Sequence, residues 1–300
     1  MEITQELNLT AEQQNLLAMH SALNVLNVIL YELFMLQKTY GENERAQTVE
    51  TQLHAAADKL SDSSASHHLM TSMEGFIDSV NYELRNWKND IQASKADLTT
   101  FTQSLENLNS IFEILRVRAR ELATRFDNPD AWQVFENETL RHNYLNVLLA
   151  IEKNSKGRYR IVYNLAEHDE GAYLVHLSIS SHNDSQIKMP AVFQDIVRDL
   201  LANARKYTHP GGRIEAGIYD SGKELRCVIS DSGHGIPESE IANVIAFGGR
   251  ASNASAPTRG GGFGLTKAYF FTKHFGGRMW IYSDVGKGTR IEIRIPSPST

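Results

Sequence analysis

"TRGGGFGLTKAY", residues 258–269, sets four glycines, Gly260, Gly261, Gly262 and Gly264, directly before a segment that reads as a helix. A linker, a tight turn and a phosphate cradle share that composition, and the flanking sequence decides between them. After Gly157 the chain runs in short alternating stretches: "RYRIVYNL" (158–165), "AYLVHLSIS" (172–180), "RIEAGIYD" (213–220), "ELRCVISD" (224–231), "RMWIYSD" (278–284) and "RIEIRIP" (290–296). Alternation with a period of two predicts strands. "AVFQDIVRDLLANARKYT" (191–208) instead spaces its apolar residues for a helix. The glycines therefore fall inside an α/β sandwich, a mixed sheet with helices on one face, expected over residues 158–300.

The first half has a different texture. Up to residue 156 the only proline is Pro129 and the only glycines are Gly41 and Gly75. That composition predicts helices near 10–40, 44–60, 67–95, 98–126 and 130–156. "GEN" (41–43), "SDSSAS" (61–66) and "DNPD" (127–130) are the breaks. Leu16, Met19, Leu23, Leu26, Leu30 and Leu33 alternate steps of three and four, the spacing of a heptad seam. The expected fold class is α+β: a helical bundle over 1–128, a connecting helix over 129–157 and the sandwich over 158–300.

Composition narrows the function classes. A net charge of −6 gives no global basic footprint, so nucleic acid is not an expected partner. Cys227 is the only cysteine, which excludes an intramolecular disulfide and suits a reducing compartment. There is no run of 18 apolar residues and no signal-peptide pattern, so no membrane span and a cytoplasmic location are expected.

Four short motifs carry chemistry. In "DLLANARKYTHPGG", Asp199, Asn203 and Lys206 share one helical face. Oxygen ligands suit Mg²⁺ and an ammonium suits phosphate, although a merely solvated face has the same composition. "CVISDSGHGIP" delivers Asp231 at a strand end, followed by Gly233 and Gly235. A buried carboxylate there can accept a hydrogen bond from an amine, and the glycines allow a tight bend. "SDVGKGTRIEI" places Gly286, Gly288 and Thr289 before the last strand.

Each motif alone is weak, but their order and spacing resemble the ATP-binding domain of histidine kinases, within the superfamily that also holds gyrase and MutL. "RDLLANARKYT" resembles the N box, "DSGHGIP" the G1 box, "GGGFGLTKAY" the G2 box, and "VIAFGGRAS" supplies an F-box-like Phe247. The resemblance covers roughly 160–296 and implies ATP and Mg²⁺. It makes Asn203 the metal ligand, Lys206 and Tyr207 contacts to phosphate and to the base or ribose side, Asp231 the adenine reader and Thr289 the residue behind adenine. Residues 237–261 would be a lid, with Arg250 and Arg259 facing the γ-phosphate. Gly260, Gly262, Gly264 and Leu265 would end that lid and begin a helix whose free N–H groups and dipole favour an anion. One position departs: Asp199 stands where histidine kinases usually carry Asn. An acid there leaves water activation, and hence ATP hydrolysis, open.

A histidine kinase also needs an acceptor on a helix. "HSALNVLNVI" resembles the acceptor motif, with His20 and Asn24 one turn apart, but Ser21 replaces the usual acid and Val25 the proline. "HNYLNVLLAI" repeats the register with His142 and Asn146. His20, beside the heptad seam, is expected to be reachable, and His142 to lie on a buried connecting helix, so His20 is the expected acceptor and His142 the alternative. The expected partners are a response-regulator receiver domain and a second copy of the chain through the bundle. The competing functions are an ATPase or serine kinase without phosphohistidine, and an ATP-regulated interaction module.

Overall fold

The computed structural model describes residues 1–93, 98–154, 157–253 and 261–298. It divides into two compact units: Leu9–Pro129, and Met1–Asn8 together with Asp130–Thr300.

The first unit is all-helical: α1 (Ala11–Ala18), α2 (His20–Tyr40), α3 (Glu44–Asp58), α4 (Ser63–Thr71), α5 (Met73–Ala93) and α6 (Thr99–Asp127). Polar caps start three of these helices. Thr10 and Gln13 form a reciprocal capping box on α1, Asn43 accepts from Arg45 N on α3, and Asp62 accepts from Ala65 N on α4. The expected helix over 10–40 is broken at Met19, where α1 ends and α2 begins. The buried seam is Met19, Ala22, Leu26, Ile29, Leu33 and Leu36, while Leu16, Leu23 and Leu30 only flank it. α2 packs on α6 and α3, and α3 on α5. Trp87, Phe101 and Phe112 fill the centre. Among the described residues no single helix is long and apolar enough to cross a bilayer; α1 and α2 together have the length and composition but bend by 68°.

The second unit starts with β1 (Trp132–Glu136) and α7 (Asn137–Asn154). The single helix expected over 130–156 is thus a strand and a helix, because "WQVFE" carries bulky β-formers that pair with a later strand. Next come β2 (Arg160–Val162), β3 (Ala172–Ser181), β4 (Gln186–Pro190), α8 (Phe193–Tyr207), β5 (Arg213–Asp220), β6 (Glu224–Asp231), α9 (Ile241–Ile245), α10 (Gly264–His274), β7 (Arg278–Asp284) and β8 (Gly288–Pro296). Six strands form one mixed sheet in the order β2-β3-β5-β6-β8-β7, with β2, β3 and β5 parallel and the rest antiparallel. β1 and β4 form a separate antiparallel pair.

α7, α8 and α10 pack on one face of the main sheet. α7 contributes Leu140, Tyr144 and Leu148 to the same core as Ile196, Leu200, Ile229 and Ile293, so it is part of this unit rather than a separate connector. Phe193, Ile196, Val197, Leu200, Leu201 and Ala204 make the buried side of α8, each large side chain adding about 1.5–3 kcal/mol. Residues 1–3 extend the sheet beside β7: Ile3 N bonds Met279 O, Ile281 N bonds Met1 O, and Ile3 is buried. The Tyr269 hydroxyl, on α10, donates to Gln5 O at 2.7 Å and holds the segment.

Candidate functional site

β6 ends at Asp231, which lies opposite Ile214 on β5 and Thr289 on β8. Burial pushes its carboxyl up to about 6, against the lowering effect of N–H groups from Gly233 and Thr289. The Gly233 N–H donates to Asp231 Oδ1 at 2.8 Å. Two donors leave capacity on a carboxylate that offers about four lone-pair sites. A half-buried acceptor with spare capacity at the end of a strand fits an exocyclic amine. Beside it Thr289 Oγ1 bonds the Ser283 hydroxyl at 2.9 Å, and Ser283 Oγ accepts from Ile236 N at 2.7 Å, so the loop carrying Gly233 and Gly235 is pinned to β7. A Cβ on Gly288 would stand 1.8 Å from the backbone oxygen of Asp231, so only glycine lets β8 start this close to the end of β6.

α8 and α10 form the other end of the site. Asp195, Asp199 and Asn203 recur at every fourth residue, one line along α8. Asn203 faces the first residue of α10: a Cβ on Gly264 would meet Asn203 Nδ2 at 2.6 Å. The free N–H groups of α10 therefore open beside a side-chain amide. The Asn203 oxygen offers one neutral ligand, which suits Mg²⁺ carried mainly by phosphate oxygens and water. Among the described residues no group of three or more His, Cys, Asp or Glu forms a metal cage.

Lys206 lies over the Tyr207 ring at 5.3 Å. Burial lowers its proton affinity, and Arg250 and then Arg205 lower it further. Among the described residues no ion pair compensates Lys206 or Arg250, so these cations present a field suited to an anion. The Tyr207 hydroxyl is raised by burial, with Arg250 opposing. Phe247 packs on Phe263, with ring centroids 4.7 Å apart, and the Thr266 hydroxyl donates to Ala246 O at 2.9 Å. Gly262 (φ 74°) joins this support, and Leu265 is half-buried on the first turn of α10. Arg259 and Gly260, with the rest of residues 254–260, lie outside the described residues.

The structure thus brings Asp231, Gly233 and Thr289 together at one end, and Asn203 and Gly264 at the other. Asp199 Oδ2 accepts at 3.1 Å from Lys267 Nζ, a fully buried ammonium. Lys267 was missed because a lysine in a helix is ordinarily a surface residue; its buried neighbours Ala268 and Tyr269 were the available signal. His209 and His234, whose ring nitrogens approach to 3.2 Å beside Tyr207, were also missed, each lying in a loop with no helical or strand periodicity.

The two histidines considered as acceptors lie in different units. His20 opens α2 directly after the break at Met19 and is 7% exposed, contrary to the expectation of a reachable ring. Ser21 and Asn24 are half-buried. His142 and Asn146 are exposed, because α7 buries only the line of Leu140, Tyr144 and Leu148.

Residues 190–299 match the family of histidine kinase-, DNA gyrase B-, and HSP90-like ATPases. The chain is 33% identical over 125 residues to the adaptive-response sensory kinase SasA of Synechococcus sp. (strain CC9311), covering 39% of this chain and 33% of that protein. It is 32% identical over 108 residues to the aerobic respiration control sensor protein ArcB of Escherichia coli (strain K12), covering 35% of this chain and 14% of that protein. The chain thus spans a third or less of the length of these relatives. Among solved structures, the mycobacterial sensor histidine kinase MprB is 20% identical, with 55% of this chain and 97% of that chain covered and a TM-score of 0.39.

Proposed function

We propose that the chain is an ATP-dependent protein histidine kinase of a two-component system, on the premise that residues 190–299 are a domain of the histidine kinase-, DNA gyrase B- and HSP90-like ATPase family. The observation that carries the reading is a pair of ends: a half-buried carboxylate with spare acceptor capacity at Asp231, and an open helix start at Gly264 beside Asn203. Adenine is read by Asp231 with Thr289 behind it. The phosphates lie against the α10 N-terminus, with Lys206 and Arg250 as counter-charges, and Asn203 holds Mg²⁺. The metal, when bound, neutralises charge that develops on the transferred group.

The γ-phosphoryl group passes to an imidazole nitrogen, leaving ADP, and then to an aspartate of a response-regulator receiver. His20 is the acceptor by its place in the helical unit and by Asn24 one turn on. His142 is the second reading, favoured by its exposure. A homodimer through the helical unit and a cytoplasmic location complete the proposal; the apolar residues exposed on α2, among them Tyr31 (60%) and Phe34 (58%), support the dimer.

The test is incubation with γ-labelled ATP, followed by acid and alkali. Acid-labile, alkali-stable label on the chain is expected. Acid-stable label would make it a serine kinase, released phosphate without label an ATPase, and neither an interaction module. His20→Gln should remove the label; loss in His142→Gln alone would move the acceptor to α7.

A further inference from the structure

Between α8 and α10 lies a line of buried and half-buried charges that nucleotide recognition does not use. Lys267 is fully buried, one turn into α10. Its Nζ lies 3.1 Å from Asp199 Oδ2 and 3.9 Å from Asp195 Oδ2. Asp195, itself buried, bonds the Arg198 guanidinium at 3.0 Å. The order Arg198, Asp195, Lys267, Asp199 alternates in sign and sums to zero. An ammonium removed from water persists only when paired, and an aliphatic side chain of the same volume would fill this place without desolvation. Buried ionic groups of this kind hold register between packed elements.

The register held here is that of the phosphate end. Asp199 precedes Asn203 by one turn on α8, and Lys267 follows Gly264 by one turn on α10. Asn203 meets Gly264 where Asp199 meets Lys267, so the two helices run antiparallel across both contacts. A slip of either helix along the other would separate the amide from the helix start.

We infer that Lys267 is a positioning residue for the triphosphate: through Asp199 it locks the Asn203 face of α8 against the N-terminus of α10. The inference rests on the proposed ATP site. It also gives Asp199 a different part from that of a base for water, since Oδ2 already accepts from the ammonium. Asp199→Asn then weakens nucleotide binding instead of merely lowering hydrolysis.

Calorimetric titration separates the inference from its premise. Wild type is titrated with Mg²⁺–ATP and with adenosine, which reaches only the Asp231 end. Lys267→Met and Asp199→Asn are each expected to weaken Mg²⁺–ATP by about tenfold or more, the effect of losing a charge-assisted hydrogen bond, and to leave adenosine within about twofold. The double variant, in which a neutral pair of similar volume replaces the ion pair, is expected to recover Mg²⁺–ATP affinity to within about threefold of wild type, the non-additivity of directly coupled residues. Its recovery also shows that the fold survives. Equal losses for ATP and adenosine, unchanged single variants, or additive losses in the double variant would each overturn the role of Lys267. A wild type that binds neither ligand would instead overturn the ATP site itself.

Discussion

Asp231 carries the most informative charge in the sheet unit. Its folded pKa of about 6 lies above the ordinary 3.8 because burial disfavours the carboxylate. The protonated form is therefore the one the fold stabilises. That contribution is complete below about pH 4 and is lost as pH rises through about 6, a change of about 2–3 kcal/mol. Adenine binding works the other way, because an amine donor needs the ionised acceptor. Adenosine, which has no phosphate to titrate, should bind about tenfold more weakly at pH 5 than at pH 7, and Asp231→Asn should flatten that profile. A pH-independent wild-type affinity, measured calorimetrically, would contradict the assignment. Burial acts in the same direction on Cys227: it pushes the thiol up to about 12, so a thiol reagent should leave native protein unmodified and react only on unfolding. Asp231 was legible in the sequence because a strand, an acid and two glycines follow in order. The Asp199–Lys267 pair was not, because the two residues are 68 positions apart and no local pattern links them.

At the level of elements, α8 and α10 give the site its two sides, and the glycine that starts α10 sets their separation. Gly264→Ala would drive a methyl against Asn203 Nδ2, and overpacking of this kind costs about 1–3 kcal/mol. Triphosphate affinity should fall while adenosine affinity stays near wild type, and equal affinities for ATP in the two proteins would refute the close approach. The long strands and α8 were legible because their periods run unbroken over eight or more residues. β1 and β4 were not, for each has five residues and exists only through the other. The helix break at Met19 was equally hidden, since the apolar spacing continues across it and only the structure shows which residues turn inwards.

At the scale of the whole chain, residues 9–129 are an insertion within the sheet unit, whose polypeptide begins at Met1–Asn8 and resumes at Asp130. Both flanks are tied to α10: Gln5 O accepts from Tyr269, and Asp130 Oδ1 meets His274 Nε2 at 2.6 Å. Ile3→Ala should therefore destabilise the sheet unit, about 280 residues away in sequence, by about 2 kcal/mol. Urea unfolding followed through Trp132 and Trp280, which lie in that unit, would check it; an unchanged midpoint would show that burial of the Ile3 side chain adds nothing. A fragment starting at residue 158 would also lack Leu140, Tyr144 and Leu148 and leave their core open. The same pairing has a consequence in time. The Ile3 N–H must wait for Met279 to be made before it has its strand partner. At about 5–20 residues per second, that delay over 280 residues is roughly 15–55 seconds. Throughout it the Met1–Ile3 segment lacks its strand neighbour while residues 9–129 have already been made, so this edge of the sheet closes only after synthesis has passed β7.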